Sequence, residues 1–222
     1  MGGTGDTQGS TAMALLGLAR RAGDRPAALR ATVRHWEDRA AASRAWRAAV
    51  APDQPSPPAA ALTPGRAAGT TVVRLWQDPA TGRGGEEPDG GVAHDGVVLF
   101  AHLLRPARAL TDLRLVPDGN GTIAGRPARL AVATPLPARP GPAGPRRAPS
   151  LDALGFGADR YLLALDAEHG VLLRLEAWHA GTCFARTEIT RIAYGAVRPR
   201  DHDSVAARVL RLVDPPGRSG LQ

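Results

Sequence analysis

The sequence contains no lysine: all 28 basic residues among its 222 are arginine, and the formal net charge is +7. Together with 26 glycines and 20 prolines, this composition is typical of a GC-rich, actinobacterial-type genome, where codon usage inflates arginine. A charge of this size normally favours nucleic-acid or anionic-membrane partners. The arginines are spread along the chain, with no run longer than two. We therefore expect a solvated arginine surface and no nucleic-acid partner.

Cysteine and long apolar runs are also scarce. The single cysteine, Cys183, excludes an internal disulfide and a cysteine-based metal cluster, and its place in a predicted strand indicates a small buried hydrophobe. No apolar run approaches the roughly 18–20 residues that cross a bilayer. The short run Ala12–Ala19 is followed, not preceded, by basic residues, and no lipid-accepting cysteine follows it. The chain as it stands is therefore expected to remain in the cytoplasm.

Catalytic constellations are absent from the sequence as well. The histidines are scattered without zinc-ligand spacing, and no Gly-x-Ser-x-Gly elbow occurs. Asp201-His202-Asp203 is the densest cluster of metal-ligating residue types, and we interpret it as a solvated loop. Asp166 and Glu168 lie in a predicted turn, where carboxylates commonly cap backbone amides. We predict no enzyme activity, no metal and no cofactor.

What the sequence does contain is a clear meander over Gly157–Tyr194. Three segments rich in Leu, Val, Ile, Thr and aromatic residues predict strands at Tyr161–Leu165, Val171–Trp178 and Cys183–Ile192. Each of the two joints contains a glycine that can adopt the positive φ of a hairpin. Alternation gives the sheet one apolar face and one mixed face.

The rest of the sequence predicts a layer that covers the sheet and several Pro-rich segments that interrupt regular structure. An apolar sheet face must be covered by a helix, a second sheet or a ligand, and the Ala/Arg-rich segment Ala27–Val50 is predicted to be a helix that could do so. The open alternative is a lipophilic cavity beneath that helix. The predicted organisation is a disordered N-terminus at 1–10, a helical segment at 11–50, a Pro-rich linker at 51–69, an antiparallel β domain at 70–195 with a Pro-rich loop at 134–149, and a tail at 196–222 with a possible short helix.

Several of these residues are similar to a known family. Ile123–Ala128 contains an "AGR" turn, Gly157–Arg174 contains a hairpin similar to "Y-x-L-x-L-D-x-x-x-G-L-x-x-R", and the strand Phe184–Thr190 follows. Upstream, Leu75–Pro79 resembles a "W-x-Y-D-P" strand end, although the tyrosine is missing. These motifs resemble the LolA/RseB-like superfamily, which includes outer-membrane lipoprotein carriers and MucB/RseB-type regulators. The resemblance covers roughly residues 70–194, and the N-terminal half is shorter than the family's.

The resemblance implies a mainly β fold with covering helices: an open antiparallel half-barrel with a hydrophobic interior that holds acyl chains or a partner's peptide. It also implies that the candidate ligand-binding residues of the hydrophobic face are Trp76, Leu163, Leu165, Leu173 and Phe184. Which face of the sheet is concave stays open at this point.

The leading functional hypothesis is non-catalytic binding of a lipophilic ligand or a lipidated or peptide partner in the half-barrel. One alternative is a regulatory protein-interaction module that resembles regulators of anti-sigma factors. Another is polyanion binding by the Arg-rich helix. The family resemblance would place the protein outside the cytoplasm if its true start lies upstream.

Overall fold

Eight strands form a single antiparallel sheet in the computed structural model, which describes residues 4–50, 68–80, 83–88, 100–137 and 154–195. The elements are α1 (Thr4–Asp24), β1 (Leu29–Asp38), α2 (Arg39–Val50), β2 (Ala68–Asp78), β3 (Arg83–Pro88), α3 (Ala101–Leu104), α4 (Ala107–Leu110), β4 (Leu113–Ile123), β5 (Arg126–Pro135), β6 (Arg160–Asp166), β7 (Leu172–His179) and β8 (Thr182–Tyr194).

The strand order is β3-β2-β1-β8-β7-β6-β5-β4. Strands β4 to β8 follow one another as a meander, and β1 pairs with both β2 and β8, so the N-terminal strands β1 to β3 extend the C-terminal meander. The sheet is open, because β3 and β4 lie at its two edges. This architecture confirms the predicted mainly β fold with covering helices.

The helix predicted over Ala27–Val50 is wrong in its first half. Leu29–Asp38 forms β1, and only Arg39–Val50 forms the helix α2. Asp38 ends the strand and caps the helix, since its Oδ1 accepts hydrogen bonds from the amides of Ala40 and Ala41 at 3.0 and 3.1 Å. The pairing of β1 with two strands overrides the helix propensity of its Ala and Arg residues. The sheet therefore begins at β1, not at residue 70.

Two smaller predictions also differ from the structure. Helix α1 begins at Thr4, so the disordered segment predicted for residues 1–10 is wrong from Thr4 onward. The Asp-Gly-Asn-Gly sequence at 118–121 predicts a hairpin turn, but these residues form an irregularity within β4. The hairpin reverses instead at Ala124–Gly125, where both residues have positive φ. The two joints of the β6–β8 meander are hairpin turns, as predicted.

Two glycines allow the helices to approach the sheet. Gly170 has a φ of +72°, and a Cβ at this position would collide with the carbonyl oxygen of Leu18 in α1. Gly157 has a φ of +89°, and a Cβ there would collide with the carbonyl oxygen of Ala45 in α2. Both positions need glycine for conformation and for space. The meander that the sequence reveals most clearly thus also provides the contact points for both long helices.

One hydrophobic cluster fills the space between these helices and the sheet. Helix α1 contributes four buried residues and α2 contributes two: Leu15, Leu18, Ala19, Ala22, Ala41 and Ala45. Leu103 and Leu110, from the short helices α3 and α4, join the same cluster. Both long helices therefore pack against one face of the sheet, which we call the covered face.

Some predictions lie outside the described residues. They are most of the Pro-rich linker, the Pro-rich loop beyond residue 137, Asp201-His202-Asp203 and the whole 196–222 tail. None of the helices in the described part of the chain is long and apolar enough to cross a membrane.

Candidate functional site

The five predicted ligand-binding residues do not share one surface. Leu163, Leu165, Leu173 and Phe184 are buried, with exposed fractions of 3%, 0%, 0% and 2%. Trp76 is only half-buried and lies on the opposite face, because it follows Leu75, a buried residue of the covered face. The structure therefore brings four of the residues into the core and leaves the fifth outside it.

The register of the sheet identifies the covered face. Leu163 lies in one cross-strand row with Leu175, Thr187 and His35, and all four side chains point to the same side because paired residues share a face. Further along β1, Val33 on this side is fully buried. The leucines predicted to hold a ligand therefore lie in one buried cluster with residues of the chain's own helices.

A pocket of about 180 Å³ opens where α2 meets the β7–β8 turn. Phe184 lines it, together with Ala41 and Arg44 of α2 and His179, Ala180 and Thr182 of the turn region. Phe184 is an extra residue at the irregularity where β8 pairs with β7, which turns its ring into the core beside α2. Phe184 is thus a predicted site residue that lines a pocket open to solvent.

Asp166 is the centre of a second cluster, at the end of β6. Its carboxylate is fully buried and accepts five hydrogen bonds. Arg126 donates through Nε at 2.9 Å and Nη2 at 3.4 Å, and the Tyr194 hydroxyl donates at 3.1 Å. The amides of Glu168 and His169 each donate at 2.9 Å, which confirms that an acid of this turn caps backbone amides. We call these residues the Asp166 clasp.

The clasp joins three distant parts of the sheet. The His169 ring stacks on Tyr194 with centroids 3.7 Å apart, and the guanidinium of Arg126 lies 5.0 Å from the centre of the same ring. Arg126 also binds Glu168 at 2.6 Å. The sequence motifs contained Arg126 and Asp166 without relating them, and no spacing pattern points to Tyr194.

The chemistry of the clasp is structural. Burial alone would raise the pKa of Asp166, but hydrogen bonds from Arg126 and from the amides of His169 and Glu168 hold that pKa below its usual value. Burial also raises the pKa of Tyr194, so its hydroxyl stays protonated and donates to the carboxylate. With five donors on about four lone-pair sites, the carboxylate has no acceptor left for a substrate proton. The clasp therefore holds strand ends together.

Cys183 is half-buried, not fully buried as predicted, and burial raises the pKa of its thiol. No group of three His, Cys, Asp or Glu side chains that could hold a metal ion occurs among the residues that the structure describes.

The outer face of the sheet, opposite the covered face, carries charged and aromatic side chains. Glu188 of β8 binds Arg174 at 2.9 Å on one side and lies 3.8 Å from Arg34 on the other. In the next row, Glu176 is buried and binds Arg186 at 2.9 Å. Carboxylates thus alternate with guanidinium groups from strand to strand, as opposite charges do in stable cross-strand pairs.

Tryptophans add to this outer face. The Trp178 indole donates to Glu176 at 3.1 Å, and the guanidinium of Arg160 lies 5.0 Å from the indole ring. Trp36 and Trp76 are half-buried and occupy outer-face positions on β1 and β2. Half-buried tryptophans among arginines are the residue types that dominate protein-interaction surfaces. Alternation along β7 in the sequence places Arg174, Glu176 and Trp178 on the mixed face of the meander but assigns them no role.

No protein-family model matches this sequence, and no curated protein matches it at a significant level. Comparison with solved structures is informative. The structure of MucB superposes with a TM-score of 0.52 at 16% identity and covers 86% of this chain. The chain therefore shares the fold of MucB.

Two further structures extend this likeness. MucB in complex with MucA(peri) superposes with a TM-score of 0.50 at 16% identity, covering 90% of this chain and 61% of that one. The Pseudomonas aeruginosa MucA/MucB complex also gives a TM-score of 0.50 at 16% identity, covering 86% of this chain and 59% of that one. The chain therefore spans about three fifths of the length of these MucB chains. At this level of identity the likeness establishes the fold.

Proposed function

We propose that this protein is a non-catalytic binding protein whose ligand is a protein partner. The main observation behind this proposal is that the predicted binding residues lie on both faces of the sheet, with the leucines buried and Trp76 on the outer face. The chain's own helices already cover Leu163, Leu165 and Leu173, and the tryptophans and arginines of the outer face stay accessible. A partner can contact the outer face without displacing a helix from the core.

The comparison with known structures supports the same class of function. MucB, which shares this fold, has been solved in complex with MucA. This likeness favours a protein ligand, and the identity of the partner does not transfer at 16% identity. The regulatory-interaction alternative from the sequence is therefore preferred over carriage of an acyl chain.

The test is capture followed by reconstitution. The tagged full chain is incubated with soluble and membrane extracts of its source organism, and bound proteins are identified by mass spectrometry. We expect one protein to re-form a complex from purified components, with a Kd in the micromolar range or tighter. A Trp76→Ala variant should bind that protein more weakly, and Trp46→Ala, on α2, is the matched control. Recovery of chaperones alone would contradict the proposal.

A second candidate function is binding of a lipophilic ligand, favoured by the pocket beside Phe184. Phe184 and Ala41 give the pocket apolar walls, and Arg44 places a cation at its edge. Its volume of about 180 Å³ is below the range of roughly 300–1,000 Å³ typical of ligand sites. A pocket of this volume admits only the end of an acyl chain, and a longer part of the chain can enter only if α2 moves.

This second function has its own test. The purified protein is incubated with lipid extract, and bound material is released and analysed by mass spectrometry. Each methylene buried from water contributes about 0.8 kcal/mol, so affinity should rise with chain length until the pocket is full. If no lipid is recovered and no hydrophobic dye binds, the lipophilic function is excluded and the protein-binding proposal stands.

A further inference from the structure

The pocket beside Phe184 has two kinds of wall. Phe184 and Ala41 form an apolar side. Arg44 of α2 contributes a guanidinium, His179 an imidazole and Thr182 a hydroxyl, and all three groups can donate hydrogen bonds. The described residues that line the pocket include no acid. The pocket thus combines a surface for an apolar group with donors for an oxygen-rich head.

The Arg44 guanidinium is accessible to a ligand. The side chain is exposed, and it makes no ion pair with any residue that the structure describes. Arg47, one turn later on the same helix, differs, because its Nε donates to the carbonyl oxygen of Ser43 at 3.4 Å and it does not line the pocket. An anion that enters the pocket can therefore bind Arg44 without breaking a salt bridge.

The acid nearest to His179 is already engaged. The Nδ1 of His179 is buried and lies 3.6 Å from Oδ2 of Asp159, too far for a hydrogen bond. That carboxylate oxygen instead accepts the amide of Ala180 at 2.7 Å, within the β7–β8 turn. Because Nδ1 faces Asp159, Nε2 at the other end of the ring is the nitrogen that a ligand can reach.

The volume of the pocket limits the apolar part of a ligand. About 180 Å³ is available, and a protein cavity of about 150 Å³ is large enough to bind benzene. A single ring or a chain of a few carbons therefore fits against Phe184, whose ring offers an aromatic contact. A longer body does not fit unless α2 moves.

We propose that this pocket binds a compact carboxylic acid, with its apolar body against Phe184 and Ala41 and its carboxylate on Arg44. The inference rests on the second candidate function, binding of a lipophilic ligand in this pocket, and names the class of ligand. Arginine suits this role because its planar fork forms two parallel hydrogen bonds to one carboxylate. The Nε2 of His179 and the Thr182 hydroxyl offer further donors at the same wall.

The two walls favour a carboxylate over other heads. A neutral chain end would remove water from Arg44 and give no hydrogen bond in return, which costs free energy. A phosphate monoester carries up to two charges and three acceptor oxygens, and Arg44 is the one arginine among the described residues of the lining. A singly charged carboxylate on an apolar body matches both walls.

The test uses the full chain and benzoate, with benzamide as the neutral ligand of nearly the same shape. Saturation-transfer NMR titrations measure the Kd of each ligand. We expect benzoate to bind with a Kd of about 1 mM or tighter. Benzamide should bind about fivefold more weakly, because it lacks the charge that Arg44 binds. Added salt should weaken the binding of benzoate more than that of benzamide.

Two arginine variants of α2 locate the contact. Arg44→Gln should weaken benzoate binding about fivefold and change benzamide binding less than about twofold. Arg47→Gln removes the same charge one turn away from the pocket and should change both less than about twofold. Both substitutions keep α2, since glutamine is a good helix former. His179→Gln should weaken benzoate binding about twofold, which gives a second reading from the other side of the pocket.

Several outcomes would overturn the inference. They are equal affinities of the wild-type chain for benzoate and benzamide, equal losses of benzoate binding in the two arginine variants, and the absence of saturable benzoate binding. Tighter, Arg44-dependent binding of phenyl phosphate would assign the pocket to phosphates instead. If Arg44→Gln retains as much lipid from an extract as wild type does, the carboxylate contact is refuted and the lipophilic function survives. The protein-binding proposal is independent of all these results.

Discussion

The two faces of the sheet are built from the same strands but follow opposite rules. Along β1, Leu29, Ala31 and Val33 are buried against the helices, whereas the alternating Arg30 and Arg34 are exposed. Apolar residues on the covered face gain stability because burial removes them from water. Exposed ion pairs on the outer face contribute little, about 0–1 kcal/mol each. The comparison teaches that the covered face maintains the fold and the outer face is available for recognition.

The largest test of this comparison is to lift a helix off the covered face. Gly170→Ala should destabilise the protein by about 4 kcal/mol, from backbone strain at positive φ and from the collision with Leu18. The exposed apolar face should then bind a hydrophobic dye. The free energy of unfolding from urea titration and dye fluorescence measure the two effects.

Gly181→Ala is the matched control for that substitution. Gly181 also has a positive φ, of +79°, but no atom lies within 4 Å of a Cβ added there. It should lose only the strain energy, about 1–2 kcal/mol, without new dye binding. Equal losses for the two variants would show that the contact between α1 and Gly170 does not maintain the covered face.

A smaller test compares two adjacent leucines of β6 that point to opposite faces. Leu163→Ala removes a buried side chain of the covered face and should cost about 3 kcal/mol. Leu162→Ala removes the same atoms from a half-buried position on the outer face and should cost about 1 kcal/mol. Chemical denaturation of both variants gives the difference. Similar costs would mean that both faces are equally packed, contrary to the comparison.

The smallest expected effect is a change in folding stability with pH, caused by His35 on the covered face. Its Nδ1 lies 2.8 Å from the Thr187 hydroxyl, and burial lowers its pKa below 6.5. Because the folded state resists protonation, the unfolded state binds more protons as pH falls below 6.5, and stability should decline there. Thermal melts from about pH 8 to about pH 5.5 measure this slope.

His35→Gln is the control for the pH effect, since it keeps a polar partner for Thr187 and does not titrate. Glu37 lies 4.0 Å from the His35 Nε2, and burial raises the pKa of Glu37 above 4.5, so this carboxylate has the opposite effect at lower pH. The slope near pH 6 should vanish in His35→Gln. An unchanged slope would assign the effect to another group.

The β6–β8 meander was predictable because its residues carry both signals that a hairpin sheet needs. β6 is a short apolar run, β7 and β8 alternate apolar and polar positions, and glycines stand at Gly170 and Gly181 where the chain reverses. Strand β1 was missed because Ala and Arg favour helices. Its period-two pattern, with Leu29, Ala31 and Val33 against two arginines, was present in the sequence and could have identified it.

The candidate site was less predictable, because it depends on which residues meet. From the sequence alone, Leu163, Leu165 and Leu173 resemble a ligand surface, because the positions of the helices are unknown. In the structure all three leucines are buried. The Asp-Gly-Asn-Gly turn signal within β4 was likewise overridden, because β4 pairs with β5 on both sides of it. Local propensity is worth about 1 kcal/mol or less per residue, and cross-strand pairing over ten residues outweighs it.

The sequence by itself determined the alternation that makes one face of each strand apolar, the glycine turns of the meander, and the absence of catalytic motifs. Those properties follow from neighbouring residues, so a linear pattern is enough to express them. Only the tertiary structure decided that α1 and α2 occupy the apolar face, that Asp166 meets Arg126 and Tyr194, and that Arg74 and Arg191 flank Thr32. These contacts join residues remote in the chain, and only the packing of the whole sheet brings them together.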